Sequence, residues 1–530
     1  MIRRFLKDRR GNVAPIFAVA AVPLIASIGA AVDYTNLVHQ RRIVQDALDA
    51  AALAANRLVG LEPKSAVKAE AVAFFNANIA DKGLPEMTPH VTVGTGTVLV
   101  TTSFTTDTYF LGLIGLAEQT QNLKAKSISG SATYEVVMVL DNSGSMAGSK
   151  ISSLKEAAKD LTASLFEQNA SNPKPDPVKI GVVPFAAAVN VGSGYKNASW
   201  MDTGAAAPYH SENFEEEKSR FDLFDDINNI RWQGCVEARP HPYDTDDTTP
   251  TTAMPATMFV PMFAPDEPDD GSYANNYIDD DGGSCDFSSG SGWGGWDWGW
   301  GWNWGGGGGS GTSINDLSDA ERQALVCKYD GATLSGYSGS NGISKGPNYN
   351  CTAEELQPLT TIRGHVESAL AKMKADGMTN IHAGIMWGWR LLSPGEPFTG
   401  GRAYSEPDNR KILVVMTDGE NTYTTYNNMN KSMYGAFGYI AKDHLGTTSS
   451  NSNTVVDKMD DRTEEACTNA KAAGITIYTV AFKVTSTSTK NMLVRCASQA
   501  SMAYTSESNT ELVDTFGSIA RDITLLRLEK

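Results

Sequence analysis

Hydrophobic and polar positions along the chain fall into three textures. Val13 to Val32 is a run of twenty residues without a charge. As a helix rising about 1.5 Å per residue it would cross roughly 30 Å, the thickness of a bilayer's hydrocarbon. Pro15 and Pro23 are tolerable in such a segment. Beyond it, Leu37, Val44, Leu48, Ala51, Ala55 and Leu58 recur at helical spacing and predict an Ala-rich helix over Asp33–Leu58 whose apolar face wants a partner. Ser65–Ala80 reads as a second helix, and the Val- and Thr-rich stretches His90–Thr106 and Asn122–Thr133 read as strands. Residues 33–133 thus form an Ala-rich helix and a small α+β neck.

From Tyr134 the texture changes to near-continuous apolar runs: Tyr134–Leu140, Val178–Phe185, Lys411–Thr417 and Ile475–Ala481, the mark of strands buried on both faces. Helices are predicted at Ile151–Asn169, Leu359–Lys374, Asn380–Leu391, Thr463–Ala473, Ser488–Ala497 and Glu511–Leu525, with a short strand near Ala503–Thr505. Strands alternating with helices predict an α/β domain over 134–530 with a doubly wound parallel sheet.

The third texture interrupts that domain at 190–355, which is polar and rich in Pro, Gly and Asp. Its extreme is the Gly/Trp tract 282–311, where Trp293, Trp296, Trp298, Trp300, Trp302 and Trp304 alternate mostly with glycine. Composition makes this a low-complexity loop; the competing reading is an aromatic platform for sugars or a partner. The acid runs Asp244–Asp247, Asp266–Asp270 and Asp279–Asp281 lack the spacing of an EF-hand loop and read as solvated loops.

Charge gives the first segment a direction. Residues 1–12 hold Arg3, Arg4, Lys7, Arg9 and Arg10 against Asp8 alone, a charge of +4 that leaves −21 on the rest of a chain totalling −17. A basic tail stays cytoplasmic, so 13–32 is expected as a transmembrane helix with everything after it outside. A cleaved signal peptide is the alternative, with Gly29 and Ala31 as small residues for cleavage, but its apolar core is usually about 7–15 residues. The acidic remainder argues against nucleic acid as a partner.

All six cysteines (Cys235, Cys285, Cys327, Cys351, Cys467 and Cys496) lie beyond this segment, and an even number outside the cytoplasm suggests disulfides. Cys467 and Cys496 bracket the Ile475–Ala481 strand and are expected to pair, whereas the other four leave three pairings open. No Cys-x-x-Cys spacing suggests zinc.

The motif with chemistry is Asp141-Asn-Ser143-Gly-Ser145-Met, at the carboxyl end of the first buried strand, the edge where open α/β sheets bind ligands. Thr379 stands at a helix start in Gly377-Met-Thr-Asn-Ile, and Asp418 follows another buried strand in Thr417-Asp-Gly-Glu420. Each fragment alone could be a helix cap or a turn. Together and in order, Asp141, Ser143, Ser145, Thr379 and Asp418 make an all-oxygen set suited to a hard divalent cation, Mg²⁺ first, with Mn²⁺ or Ca²⁺ as alternatives. Two carboxylates balance the charge, and a ligand position is left for water or a partner's carboxylate.

These residues resemble the von Willebrand factor A (vWA) domain and its metal-ion-dependent adhesion site, over Tyr134–Phe185 and Leu359–Leu525. The departure is the insertion 190–355, expected near the ligand face, where it could cover the metal. Arg9-Arg-Gly-Asn-Val-Ala-Pro-Ile-Phe, the following Ala-Ala-Val-Asp33-Tyr and Gly234-Cys-Val-Glu-Ala-Arg-Pro are similar to TadG-type proteins of the Flp (tight-adherence) pilus system. The resemblance implies a single-pass protein of a bacterial inner membrane, its amino terminus cytoplasmic and its body periplasmic. It also implies protein partners among pilus or secretion-system components, one of them offering an acidic side chain to the metal.

Enzymatic alternatives find little in the sequence. Gly144-Ser-Met-Ala-Gly148 is not a hydrolase elbow, no phosphate-cradling loop occurs, and His382 reads as a helix-face histidine. The expectation is a non-catalytic binding protein assisting assembly or anchoring of a pilus. A passive periplasmic spacer with a structural metal, or an adhesin contacting external ligands, are the alternatives.

Overall fold

A computed structural model describes residues 13–59, 62–94, 97–115, 117–128, 132–170, 172, 174–287, 313–335 and 345–525. The basic tail 1–12 and most of the Gly/Trp tract, with all six of its tryptophans, lie outside the described residues. The chain divides into two compact units: Met1–Ser131 with Ser171–Lys174, and Ala132–Ala170 with Pro175–Lys530.

In the first unit the apolar segment and the Ala-rich helix are one helix, α1 (Val13–Asn56), with Pro23 inside it. Val44, Leu48, Ala51 and Ala55 are fully buried and meet Val67, Ala71 and Phe75 of α2 (Lys64–Ile79). The same core takes in Val98, Val100, Leu123 and Ala125 from an antiparallel sheet of β1 (His90–Gly94), β2 (Thr97–Asp107) and β3 (Glu118–Ile128). The stretch expected as a single strand over His90–Thr106 is therefore two, parted at Gly94-Thr-Gly, where glycine disfavours continuation of a strand.

The second unit is built on a six-stranded sheet. In chain order its strands are β4 (Thr133–Asp141), β5 (Val178–Phe185), β6 (Gln357–Thr360), β7 (Asn409–Thr417), β8 (Thr476–Phe482) and β9 (Ala503–Ser506). Their order across the sheet is β6-β5-β4-β7-β8-β9. All neighbours are parallel except β6, which runs antiparallel to β5 at the edge. The doubly wound, mostly parallel sheet is as expected, with one antiparallel edge strand, whereas the helix expected from Leu359 begins only at Arg363. Four residues are too few to show a period, and Pro358, lacking an N–H, is tolerated at an edge.

Helices cover both faces. Val136, Met138 and Leu140 of β4 pack with α3 (Ser149–Gln168), with the helix Arg363–Lys372 and with the helix Asn509–Leu525. Val137 and Val139 face the helices Ile381–Leu392, Ser452–Ala472 and Thr487–Cys496. Helix Ile381–Leu392 lies hard against the sheet through two glycines one turn apart. A Cβ on Gly384 would sit 2.7 Å from the Phe185 ring, and one on Gly388 would sit 2.5 Å from Val139. This close approach fixes the height of the helix start, where the Thr379 loop enters.

The insertion, read from composition as an irregular loop, has few regular elements but a packed interior. Trp200, Phe221, Phe224, Phe259, Phe263 and Tyr329 are buried and continue the core around Trp387. Buried ion pairs hold it, Arg220–Glu237 at 2.7 Å and Lys328–Asp266 at 2.8 Å. Two of the acid runs are thereby occupied, Asp280 lying 3.3 Å from the same Lys328, while Asp244 faces Arg462 at 3.4 Å. Disulfides join Cys235 to Cys351 and Cys285 to Cys327, choosing among the open pairings, and Cys467 to Cys496 as expected.

Candidate metal centre

The chain leaves β4 to one side for β5 and returns to the other side for β7. The carboxyl ends of β4 and β7 therefore border the crevice where the strand order reverses, the usual ligand position in such sheets. Asp141 is the last residue of β4, and Asp418 follows the last residue of β7.

Asp141 is fully buried and tied on both oxygens. Its Oδ1 accepts the Ser143 N–H at 2.8 Å, and its Oδ2 accepts the Thr417 hydroxyl at 2.7 Å and the Asp418 N–H at 3.4 Å. The Ser143 and Ser145 hydroxyls lie 3.1 Å apart, and Ser145 donates to Asp418 Oδ1 at 2.5 Å. Neither serine caps the next helix, which starts at Ser149 behind Gly148. The reading of this motif as a cap thus fails: the Ser145 hydroxyl is turned to the second carboxylate and the Ser143 hydroxyl to Ser145.

The Thr379 loop is sewn to the same place by backbone. Gly144 N–H donates to the Gly377 carbonyl at 2.9 Å, and Asp376 N–H donates to the Asn142 carbonyl at 2.9 Å. Thr379 itself exchanges bonds with Thr422, donating its N–H to the Thr422 hydroxyl at 2.8 Å and accepting the Thr422 N–H at 2.9 Å. Capping falls to Asn380, whose side chain accepts the Ala383 N–H at 3.0 Å. The loop that carries Thr379 is thereby held to the Asp141 turn through Asp376 and Gly377, and Thr379 is not spent on capping the helix.

Electrostatically the cluster is short of positive charge. Burial, and after it the neighbouring Asp418 charge, push the Asp141 carboxyl up to about 6. Lys150 supplies the one cation the sequence reading missed: its ammonium stands 2.6 Å from Asp418 Oδ2. It sits on the second residue of α3, nine positions after Asp141, and no spacing rule would have singled it out. Thr417 was also missed, although its place directly opposite Asp141 follows from the parallel register that pairs Leu140 with Met416. A donor set of two carboxylates and hydroxyls, already drawing in an ammonium, fits a hard divalent cation. Ser145, Gly144 and Glu420 are exposed, so among the described residues the insertion does not cover this rim.

His382 is no part of the centre. It is buried, its Nε2 lies 2.9 Å from the Asp244 carbonyl, and burial pushes its pKa down to about 4. Among the described residues, no three or more His, Cys, Asp and Glu side chains gather in a way that could hold a metal ion; the Asp141 crevice offers two carboxylates and hydroxyls only.

Comparison with known proteins adds context. Residues 11–62 match the Tad family, Flp pilus-assembly TadE/G-like. A search of curated proteins returns no match. Among solved structures, the vWF domain of the type V pili tip protein Mfa5 from Porphyromonas gingivalis aligns at 8% identity over 75% of this chain and 97% of that one, with a TM-score of 0.33. The pilus adhesin SpaC from Lactobacillus rhamnosus GG aligns at 10% identity over 84% of this chain but 35% of its own, TM-score 0.31. Proximal thread matrix protein 1 from the mussel byssus, with a zinc-occupied MIDAS motif, aligns at 10% identity over 75% of this chain and 47% of its own, TM-score 0.27. Residues 11–62 thus resemble the TadE/G-like Flp pilus-assembly family, and the body beyond them is an α/β domain on a mostly parallel sheet flanked by helices.

Proposed function

We propose that this is a membrane-anchored, non-catalytic binding protein that assists assembly or anchoring of a Flp-type pilus through a metal-dependent adhesion site. Asp141, Ser143, Ser145, Thr379 and Asp418 would hold a divalent cation, Mg²⁺ first. When bound, the ion supplies an electrophilic coordination position for an acidic side chain of a pilus or secretion-system partner. The chain's own residues do the rest. Thr417 and the Ser143 N–H fix the Asp141 carboxylate, Ser145 orients Asp418, and the exposed rim at Gly144, Ser145 and Glu420 admits the partner.

The observation that carries this reading is the Ser145–Asp418 bond at 2.5 Å, which joins two fragments 273 residues apart at one crevice. The location we propose is a bacterial inner membrane, with α1 crossing once, the amino terminus cytoplasmic and the body periplasmic. Supporting it are the basic tail and the one helix, among the described residues, long and apolar enough to span a bilayer. Isothermal titration of the solubilised chain with Mg²⁺ and Mn²⁺ tests the site. Asp141→Ala and Asp418→Ala should each abolish measurable binding while the fold persists by circular dichroism. Unchanged affinity in either variant ends the reading.

A further inference from the structure

The apolar surface of the first unit does not stop at the spanning helix. Phe17, Val19, Val22, Leu24, Ile25, Ile28 and Val32 of α1 are each 56–75% exposed, a distribution around the helix suited to lipid on all sides. Gly29 is an exception. It is buried, because the Phe110 ring lies where its Cβ would be, 2.3 Å from that position. One turn further on, Asp33 is also buried. Its carboxylate accepts the backbone N–H groups of Tyr109 at 3.2 Å, Phe110 at 2.7 Å and Leu111 at 2.8 Å.

Those three residues belong to the tip of the β2–β3 hairpin. The two strands pair along their whole length, from Thr97 opposite Ile128 to Asp107 opposite Glu118, and the Thr106 hydroxyl donates to Gln40 of α1 at 2.6 Å. Contacts at Gln40, then Asp33, then Gly29 take the hairpin down the helix by about 16 Å at 1.5 Å per residue. The last contact lies inside the uncharged run Val13–Val32. No charged residue occurs between Asp107 and Glu118, and Tyr109 is 80% and Phe110 39% exposed. Tyrosine and other aromatic side chains are favoured at the boundary between headgroups and acyl chains.

We propose that the tip of this hairpin, through Tyr109, Phe110 and Leu111, is a second membrane element that enters the lipid interface beside α1. The inference rests on the reading of α1 as a membrane span. Its partner is the bilayer itself, engaged through apolar contact rather than through charge. Asp33 is the fastener: it satisfies the three N–H groups that would otherwise face the interface unpaired, and so holds the tip at that depth. With the hairpin clamped between helix and lipid, the neck stands on the bilayer at two points instead of swivelling on one.

The test uses the full chain in vesicles of phosphatidylethanolamine and phosphatidylglycerol. All six native cysteines are paired, so a thiol-reactive, environment-sensitive fluorophore reports only an introduced cysteine. Three variants are labelled: Tyr109→Cys at the tip, Val22→Cys within the span and Lys126→Cys at the far end of the hairpin. Lipids spin-labelled high on the acyl chain should quench the probes at 109 and 22 and leave that at 126 bright. Adding Asp33→Ala to Tyr109→Cys should cause loss of most of the quenching at 109. Quenching at 22 without quenching at 109 overturns the proposal and leaves the anchor standing. Absence of quenching at both positions overturns the membrane reading itself.

Discussion

Lys150 offers the sharpest test of the proposed metal site, because its ammonium occupies one carboxylate oxygen that an ion would use. We predict that Lys150→Met, which keeps the apolar stem and removes the charge, tightens Mg²⁺ binding. Two unit charges about 4 Å apart interact by about 1 kcal/mol in water and about 4 kcal/mol at an effective dielectric of 20. The Lys150 side chain is 28% exposed and Asp418 is not exposed at all, so the surroundings are intermediate. Screening at the exposed side holds the gain to about 1–2 kcal/mol, roughly a fivefold to thirtyfold lower Kd. The metal-free variant should change in the opposite sense. With the ammonium gone, Asp418 and Asp141 face each other without a counter-charge, and the apo form should melt earlier. Isothermal titration and a thermal melt with and without Mg²⁺ read both effects, and Lys150→Arg should behave as the parent. A variant that binds Mg²⁺ no more tightly than the parent would show that the ammonium does not compete with an ion, and the account of the site's charge would have to be abandoned.

Three further outcomes concern the body around the site. Glu237→Gln should cost about 3–5 kcal/mol in urea unfolding, because it strands the fully buried Arg220, whereas Arg220→Met with Glu237→Leu should recover most of that loss. Reducing the Cys467–Cys496 bond, or replacing both residues by alanine, should lower stability by about 3–4 kcal/mol for a separation of 29 residues; an unchanged melting temperature would contradict this. His382 gives a pH dependence. Its folded pKa of about 4 lies below the ordinary value of 6.5, so between those values the unfolded chain binds a proton that the folded chain refuses. The contribution of His382 to stability then falls as pH drops from about 6.5 to about 4, by up to about 3 kcal/mol, against the opposite contribution of the raised Asp141 carboxyl. His210, also held down by burial, acts in the same direction. His382→Gln should therefore flatten the slope of the urea midpoint between pH 7 and 4, not remove it.

The strands that form the centre of the sheet were legible because burial on both faces leaves an unbroken apolar run, as in Tyr134–Leu140 and Lys411–Thr417. Asp141 and Asp418 were legible for a related reason: each is the first carboxylate after such a run, where the chain must turn. Edge strand β6 was not, since four residues containing a proline carry no period. The insertion misled for a deeper reason. Its interior is filled by scattered aromatics such as Trp200, Phe259 and Tyr329, and by paired charges such as Arg220 with Glu237. Neither device repeats along the chain, so composition registers only the polar surface. Lys150 escaped because a lysine on an early helical turn is ordinarily a solvated side chain, and only the fold brings Asp418 within its reach.

The disulfides of the insertion are nested. Cys285–Cys327 closes a loop that lies wholly within the longer one closed by Cys235–Cys351. Residues 288–312 fall inside the inner loop, whose ends are held with their Cα atoms 5.0 Å apart. Because ring-closure entropy grows only logarithmically with chain length, doubling that inner segment would cost only about 0.6 kcal/mol. A change in the number of residues between Cys285 and Cys327 would thus cost the crosslink that closes them little in entropy.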